Sequence, residues 1–266
     1  MKLLTVWINA KTSHRPKIPM PPKTVAVVGF KDSGKTQLVE ALTQELSRRG
    51  LRVATVKHTG EGAPLDTPGK DTARHREAGS VATALLQEGA TAIFYQRRME
   101  LWEAAQLLEG ADIILVEGLK TLTTHPRVVV ARNPTELEEL SNGLEIAAAS
   151  HQPLEGSSIP TYTLKEVGEL ADLVWEKAYN LLPGLNCGHC GHGSCLEMGR
   201  AILRGEEETG SCVAYGGPIT LRVNGVQIPL GGFTGKALIN VVLGYVKTLK
   251  GVEAPRKVEV EFEANE

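Results

Sequence analysis

The chain has 266 residues, with 29 basic and 31 acidic side chains, a formal charge of -2 and 5% aromatic residues. Its content of 42% hydrophobic and 23% charged residues is typical of a folded protein rather than a disordered or fibrous one. The near-neutral charge and the few aromatic side chains argue against a nucleic-acid-binding protein. Its apolar runs are much shorter than the roughly 18 residues that cross a bilayer, so we expect a cytoplasmic protein that binds neither nucleic acid nor membrane.

The first segment, residues 1–22, ends in a run that contains Pro16, Pro19, Pro21 and Pro22. Because proline is excluded from helix interiors and central strands, we expect an N-terminal arm here. From residue 23 onward, apolar runs of strand length alternate with helical patterns, which predicts an α/β domain with a doubly wound, mainly parallel sheet at residues 23–182. The predicted strands are 25–28, 53–56, 81–86, 92–95, 113–116, 128–130, 146–149 and 161–164, and the clearest helical patterns are at 38–46 and 167–179.

The composition changes after residue 182. All four cysteines lie between residues 187 and 212, and we assign residues 183–216 to a small cysteine-rich module. Apolar and polar side chains alternate on both sides of Asn224-Gly225, which is a strong signal of a β-hairpin. A helix and a half-exposed strand at 258–262 follow, so we expect a ββαβ unit at residues 217–266. The predicted apolar face of that helix consists of Leu238, Val241, Val242, Tyr245 and Leu249.

A phosphate-binding motif follows the first predicted strand, because residues 29–36 read G-F-K-D-S-G-K-T and fit the pattern G-x-x-x-x-G-K-T. Glycine lets the backbone curl so that its amides point at phosphate oxygens, and the start of a helix favours anions. We expect Lys35 to reach the β- and γ-phosphates and the Thr36 hydroxyl to bind Mg²⁺. The alternative is a glycine-rich turn that needs only positive φ angles. The predicted nucleotide-binding residues are Gly29, Lys31, Asp32, Ser33, Gly34, Lys35, Thr36 and Gln37.

An acidic partner for magnesium is expected at the end of the strand at 111–116. Ligands of such sheets bind outside the carboxyl ends of the strands. Asp112 and Glu117 are about 16 Å apart along an extended strand, so only Glu117 can approach the phosphates if this strand neighbours the first. We therefore predict Lys35 and Glu117 as the catalytic pair, with Glu117 holding magnesium or orienting water. A solvated loop carboxylate is the alternative for Glu117.

Taken in order along the chain, these motifs resemble the MobB family, the nucleotide-binding adapter proteins of molybdopterin guanine dinucleotide synthesis. The resemblance covers about residues 24–179. It rests on residues 29–36, Lys57-His58, Asp66-Thr67-Pro68-Gly69-Lys70-Asp71, Arg76 before Ala78-Gly79, and Val116-Glu117-Gly118 with Lys120. It implies a homodimer that binds GTP with magnesium and is at most a slow GTPase. It also implies that the partners are a MobA-type guanylyltransferase, which joins GMP to molybdopterin, and molybdoenzymes such as formate dehydrogenase.

The resemblance further implies contacts to a phosphate-bearing pterin, either molybdopterin or its guanine dinucleotide. Cations at strand ends and in adjoining loops suit such a ligand. The candidates are Lys57, His58, Lys70, Asp71, Arg76 and Lys120. For each residue a simpler role stays open: Asp71 can cap a helix that begins at Thr72, and lysine or histidine at a strand end can be solvated.

Two departures from the family bear on the ligand. The family often has another histidine after the Lys-His pair, where this chain has Thr59-Gly60-Glu61, and this weakens the case for a histidine cluster. The chain has no Asn-Lys-x-Asp motif for reading a base, and Ser150-His151 stand where the family has an aspartate. The preference for GTP therefore comes from the resemblance, and ATP stays open.

The cysteine module has the spacing C-x2-C-x4-C-x16-C, formed by Cys187, Cys190, Cys195 and Cys212. Three thiolates on a glycine-rich loop and a fourth returned by a helix can surround a [4Fe-4S] cluster. The stretch resembles the cluster module of corrinoid iron-sulfur proteins and RnfB-type electron-transfer subunits. The alternative is a zinc site, which more often pairs two C-x2-C knuckles. We expect His189 and His192 to be exposed loop residues.

The main hypothesis is a GTP-binding adapter of molybdenum cofactor biosynthesis that carries a [4Fe-4S] cluster, whose role can be redox sensing, docking or structural. Two alternatives stay open. The first is a nucleotide-gated iron-sulfur electron carrier, and the second is a P-loop small-molecule kinase.

Overall fold

The computed structural model describes residues 2–9, 20–60, 62, 66–108, 110–152, 154, 156–216, 219–223, 226–228, 230, 232–252 and 257–264. The strands are β1 Lys2–Asn9, β2 Lys23–Gly29, β3 Val53–Lys57, β4 Ala82–Leu86, β5 Thr91–Tyr95, β6 Ile113–Glu117, β7 Arg127–Val130, β8 Glu145–Ser150, β9 Thr161–Thr163, β10 Tyr179–Asn180, β11 Ile219–Val223, β12 Val226–Ile228 and β13 Lys257–Ala264. The α-helices are α1 Lys35–Arg48, α2 Asp71–Glu77, α3 Leu101–Leu107, α4 Pro134–Leu140, α5 Val167–Lys177, α6 Cys195–Leu203, α7 Val213–Gly216 and α8 Gly232–Val246, and short 3-10 helices span Leu164–Glu166 and Thr209–Ser211. Within these stretches no helix combines the length and apolar character that crossing a membrane requires.

The central sheet has the strand order β3-β6-β2-β7-β8-β9, with neighbouring strands parallel, and β10 pairs antiparallel with the start of β2. The strands β2 and β6 are buried along most of their length, which explains why they read as continuous apolar runs in the sequence. The predicted α/β fold with a doubly wound, mainly parallel sheet is confirmed. Because β6 lies next to β2, the condition for placing Glu117 near the phosphate loop is met.

Helices cover both faces of this sheet. On one face α1 packs beside α5, and the predicted side chains Leu38, Leu42 and Leu46 are buried there. On the other face α3 and α4 contribute Leu101 and Leu137 to a second buried cluster. The i, i+4 spacing of the leucines therefore predicted the buried side of α1 correctly.

The strands β4 and β5 do not join the central sheet. They pair with each other in an antiparallel two-stranded ribbon, from Ala82 opposite Tyr95 to Leu86 opposite Thr91. The expectation that the runs 81–86 and 92–95 extend the parallel sheet is therefore wrong, although both runs are strands. The ribbon leaves Val81 84% and Leu86 75% exposed, so its apolar side chains have little core of their own.

The small unit at the C-terminus includes the N-terminus of the chain. Its sheet has the order β12-β11-β1-β13, and β1 pairs antiparallel with both β11 and β13. The expectation of an arm over residues 1–22 is thus wrong for residues 2–9, because the proline-rich run that suggested it begins only at Pro16. Residues 10–19 and the Asn224-Gly225 turn lie outside the described residues.

The helix α8 is apolar on more than one side. Leu238 and Val242 pack against the sheet of the small unit, whereas Val241 and Tyr245 are 70% and 69% exposed. The predicted single face of five residues is therefore wrong. Apolar residues surround much of this helix, so their spacing alone does not determine which arc contacts the sheet.

Candidate functional site

The loop between β2 and α1 has the backbone conformation that phosphate binding needs. Asp32 and Gly34 have positive φ angles of 59° and 97°, and Gly34 immediately precedes the first turn of α1. A Cβ atom on Gly29 would lie 2.5 Å from Ser33 Oγ and 2.6 Å from the carbonyl oxygen of Val130. Glycine is therefore required at position 29 because the neighbouring strand approaches it closely. A turn that needed only positive φ angles would not explain this requirement.

Lys35 stands at the start of α1 with its ammonium folded over the loop, where it donates to the carbonyl oxygen of Phe30. Burial lowers the pKa of Lys35, and the negative charges of Glu117 and Asp32 oppose this effect. A partly buried ammonium next to exposed loop amides is suited to an anionic ligand, because phosphate oxygens would replace the hydration that burial removes.

Glu117 ends β6 and meets two predicted site residues. Its Oε1 accepts a hydrogen bond from Thr36 Oγ1 at 2.8 Å and lies 3.1 Å from Lys57 Nζ. The residues come together because β3, β6 and β2 are parallel neighbours, with Lys57 paired with Glu117 and Glu117 paired with Val27. A hydroxyl and a carboxylate side by side are the oxygen ligands that Mg²⁺ prefers.

Asp112, just before β6, forms an ion pair with Arg52 at 2.7 Å. Hydrogen bonds from Arg52 lower the pKa of Asp112 to about 2.

A cavity of about 680 Å³ opens at this end of the sheet. It brings together ten of the predicted residues, namely Lys31, Asp32, Ser33, Gly34, Lys35, Thr36, Gln37, Lys57, His58 and Glu117. Three further residues line it that were not predicted as site residues: Thr59, Gly60 and His151. His151 Nε2 would lie 3.2 Å from a Cβ atom on Gly34, so the imidazole stands directly beside the phosphate loop. The sequence could have pointed to His151 through its position directly after β8, because ligands bind outside the carboxyl ends of the strands in such sheets.

The remaining predicted pterin contacts lie outside the cavity lining. Lys120 Nζ is 5.2 Å from the centre of the Phe30 ring, next to the loop. Lys70 is the N-cap residue of α2 and Asp71 lies in its first turn, so the alternative of Asp71 as the cap is wrong. Arg76 pairs with Asp66 at 3.7 Å and stacks 4.9 Å over Phe94. Contact of these residues with a pterin stays a prediction.

A buried arginine, which the sequence analysis missed, supports the loop after Glu117. Arg127 is 1% exposed, and its guanidinium donates to the carbonyl oxygens of Lys120 at 3.0 Å, Leu140 at 3.3 Å and Leu122. Burial lowers its pKa, while the charge of Glu145 opposes this. Arg127 thereby fixes the backbone that carries Lys120.

The four cysteines are free thiols, with Cys195 and Cys212 buried and Cys187 and Cys190 partly exposed. Cys195 begins α6, and its backbone nitrogen donates to Asn186 Oδ1 at 2.8 Å. Burial raises the pKa of Cys212 to about 11, and the other three thiols add to the rise. Cys195 and Cys212 belong to one buried cluster, and Cys190 packs against it. As placed in the described residues, no three His, Cys, Asp or Glu side chains form a group ready to hold a metal ion.

The cysteine module and the segment that leads into it, residues 179–182, lie at the amino ends of the central strands. The backbone nitrogen of Leu182 donates to the carbonyl oxygen of Thr124 at 3.0 Å, and β10 pairs with Lys23 and Thr24 at the start of β2. On α6, Arg200 donates to the carbonyl oxygen of Asn142, just before β8. The phosphate loop lies at the other end of β2, whose seven residues span about 20 Å. The cysteines and the cavity beside the phosphate loop therefore occupy opposite ends of one sheet.

Comparison with known proteins agrees with this geometry. The family model "Molybdopterin guanine dinucleotide synthesis protein B" matches residues 24–151, and an Fe-S cluster family model matches residues 182–214. A molybdopterin-guanine dinucleotide biosynthesis adapter protein of Methanocaldococcus jannaschii is 29% identical over 91% of this chain and 98% of its own length. The corresponding Bacillus subtilis protein is 37% identical over 44% of this chain and 69% of its own length.

The crystal structure of Bacillus subtilis MobB matches with a TM-score of 0.51 at 30% identity, and covers 58% of this chain and 96% of that chain. The matched part of the sequence contains the phosphate loop, Lys57 and Glu117, which are the residues that meet at the cavity. The chain belongs to the MobB family of molybdopterin guanine dinucleotide biosynthesis adapter proteins.

Proposed function

We propose that this adapter binds GTP with magnesium at the cavity beside the phosphate loop and works with a MobA-type guanylyltransferase. The observation that carries the proposal is the 2.8 Å hydrogen bond between Thr36 Oγ1 and Glu117 Oε1. Both oxygens are hard ligands at the place where the β- and γ-phosphates of a nucleotide on this loop would lie. When bound, magnesium would neutralise phosphate charge, and Thr36 and Glu117 would hold it.

The rest of the cavity fits the same ligand. Lys35 supplies a cation next to the loop amides, and Lys57 supplies a second one from the end of β3. Glu117 is the carboxylate that can orient a water, but in the bound state it would hold magnesium together with Thr36. A carboxylate that is engaged by a metal ion is a poor general base, which supports at most slow GTP hydrolysis.

The pterin-bearing ligand, molybdopterin or its guanine dinucleotide, is proposed to contact the cavity from the side of β3. Lys57 and His58 line the cavity there, and Lys120 is held nearby by the loop that Arg127 supports. Lys70, Asp71 and Arg76 would take part only through a larger ligand or a partner protein. Molybdoenzymes such as formate dehydrogenase are the proposed recipients.

Nucleotide binding can be tested by calorimetry with GTP and with ATP, each with and without Mg²⁺. Lys35→Ala should abolish or severely weaken binding, because it removes the cation at the phosphates. Lys177→Ala, which changes a lysine at the end of α5, should bind like the parent. If Lys35→Ala binds like the parent, or if the parent binds neither nucleotide, the proposal fails.

For the cysteine module we propose a [4Fe-4S] cluster held by Cys187, Cys190, Cys195 and Cys212. The match to an Fe-S cluster family model supports an iron-sulfur cofactor. The thiols gather on glycine-rich backbone, with Gly188 and Gly191 at φ angles of 70° and 91°, where a side chain would strain the loop. Thiolates also suit zinc, so anaerobic purification with metal analysis and a visible spectrum is the test. Stoichiometric zinc without iron or sulfide would contradict the cluster.

The proposed homodimer is supported by the exposed ribbon of β4 and β5. Leu86, Ile93 and Tyr95 lie on one face of this ribbon and are 75%, 55% and 37% exposed. Apolar side chains in such a group mark protein contacts. Light scattering after gel filtration should give twice the chain mass. Substitution of Leu86 by Glu should give monomers, and a parent that is already monomeric would contradict the proposal.

The position of the cysteines disfavours a nucleotide-gated electron carrier. A strand of about 20 Å, buried over most of its length, separates them from the phosphate loop. A reduction potential that changes when nucleotide is added would reopen that alternative. The small-molecule kinase would be supported by turnover of ATP on a pterin.

A further inference from the structure

The contact between Lys57 and Glu117 concerns a single carboxylate oxygen. Glu117 Oε1 accepts from Thr36 Oγ1 at 2.8 Å, and the same atom lies 3.1 Å from Lys57 Nζ. The Glu117 side chain is 12% exposed, while that of Lys57 is 60% exposed. A solvated ammonium thus neutralises a carboxylate that is nearly buried.

Magnesium would need the atoms that this arrangement uses. Mg²⁺ takes oxygen ligands at about 2.0–2.1 Å in a near-octahedral shell, part of which is often water. When Mg²⁺ binds Thr36 Oγ1, the hydroxyl proton must turn away from Glu117. The ion also places two positive charges beside the Glu117 oxygen that Lys57 contacts. The ammonium and the metal ion therefore compete for Glu117.

The Lys57 ammonium has other charged groups nearby once it leaves Glu117. Lys57 ends β3 and lines the same cavity as Lys31 and Lys35, and its charge is felt at Lys35, whose pKa it helps to lower. Once magnesium takes the carboxylate, the phosphate oxygens of a nucleotide on the loop offer this ammonium a new negative partner.

We propose that Lys57 is a stand-in cation for magnesium, which neutralises Glu117 in the nucleotide-free protein and moves to the phosphates when the metal ion binds. Lys57 is then a positioning residue whose partner changes with the state of the site. This inference rests on the proposed binding of a magnesium nucleotide.

A simpler role for Lys57 makes the opposite prediction. If the ammonium only orients Glu117 toward the metal site, its removal should weaken magnesium binding. If it competes with magnesium, its removal should make the ion bind at a lower concentration. Exposed ion pairs contribute about 0.2–1 kcal/mol, so the expected shift is about 1.5- to 5-fold.

The test has two parts. In a calorimetric titration of Mg²⁺ into the nucleotide-free protein, where Lys57 has no phosphate to contact, Lys57→Met should lower the Mg²⁺ concentration for half-maximal binding about 1.5- to 5-fold. At saturating Mg²⁺, the same variant should weaken the affinity for a fluorescent GTP analogue. Lys57→Arg should keep the parental midpoint, because it keeps the charge. Lys177→Met serves as a control for the loss of a lysine elsewhere, and thermal melting checks that each variant is folded.

A midpoint that rises or stays unchanged in Lys57→Met would overturn the inference while leaving nucleotide binding intact. An unchanged nucleotide affinity at saturating Mg²⁺ would also overturn it, because the ammonium would then not reach the phosphates. If the parent itself binds no nucleotide, the proposed function fails first and this inference fails with it.

Discussion

His125, just before β7, is predicted to make the protein lose stability in acid. The residue is completely buried, and its Nδ1 lies 3.0 Å from Thr124 Oγ1. Its Nε2 has no hydrogen-bond partner among the described residues. Burial, with a smaller contribution from the charge of Arg127, lowers the pKa of His125 from 6.5 to about 3. The folded protein therefore resists protonation of this imidazole, while the unfolded chain does not.

The direction of the pH dependence follows from the number of protons that the folded and unfolded chains bind. Between pH 6.5 and about pH 3 the unfolded chain carries a proton on His125 that the folded chain lacks, so the free energy of unfolding falls as the pH falls through this window. The loss begins near pH 6.5 and levels off below about pH 3. Integration of the proton uptake between pH 7 and pH 5 gives a loss of about 2 kcal/mol from this single group.

Urea unfolding at pH 7 and pH 5 measures this loss. His125→Asn removes the titrating group, and the amide can still pair with Thr124. The variant should therefore lose about 2 kcal/mol less than the parent between the two pH values. His75→Asn, which replaces an exposed imidazole on α2, should keep the parental difference, provided that all samples have the same metal content. An unchanged pH dependence in His125→Asn would refute the reasoning.

Three further predictions concern the loop, the base and the cysteine module. Gly29→Ala forces a Cβ atom to within 2.6 Å of the Val130 carbonyl oxygen. The variant should lower the free energy of unfolding in urea by about 1–3 kcal/mol and weaken nucleotide binding. Gly89→Ala, whose Cβ atom meets no atom within 4 Å, should change neither quantity. His151→Asp supplies a carboxylate that can accept hydrogen bonds from the guanine N–H groups. Calorimetry should show that the preference for GTP over ATP rises about tenfold. If the variant binds GTP and ATP with equal affinity, His151 does not face the base. Arg200→Ala removes the donor to the Asn142 carbonyl oxygen. It should lower the free energy of unfolding by about 1.5–3 kcal/mol and speed hydrogen exchange in α6. Unchanged exchange would mean that this contact does not anchor the module.

The candidate site around the phosphate loop could be predicted from the sequence because its determinants are local. The glycine and lysine spacing specifies the loop within eight residues, and parallel strands bring their carboxyl ends to one edge of the sheet. Those two facts placed Thr36 and Glu117 together, and the structure puts them 2.8 Å apart. Lys57 was predicted as a ligand contact, but its pairing with Glu117 depends on the strand order, which the pattern does not specify.

The features that were missed depend on contacts between distant parts of the chain. The partners of β1 lie more than 200 residues away, and no local pattern identifies them. Arg127 looks like a surface residue in the sequence, and only the fold shows that three carbonyl oxygens surround it. The exposed arc of α8 was mistaken for a buried one because its apolar residues outnumber those that the small sheet can cover.

The pairing of β1 with β11 and β13 has a consequence for how the protein is made. In topological terms the domain that contains the central sheet is inserted into the small sheet, since Lys2 lies opposite Ala264 in the register. During synthesis β1 is translated before this domain, and both of its partners are translated after it. The inserted domain, with its shorter-range contacts, can fold on the emerging chain, whereas β1 cannot pair until β11 and β13 have been made. Its unpaired edges are exposed for that whole interval, and a permutant that joins β13 directly to β1 should shorten it.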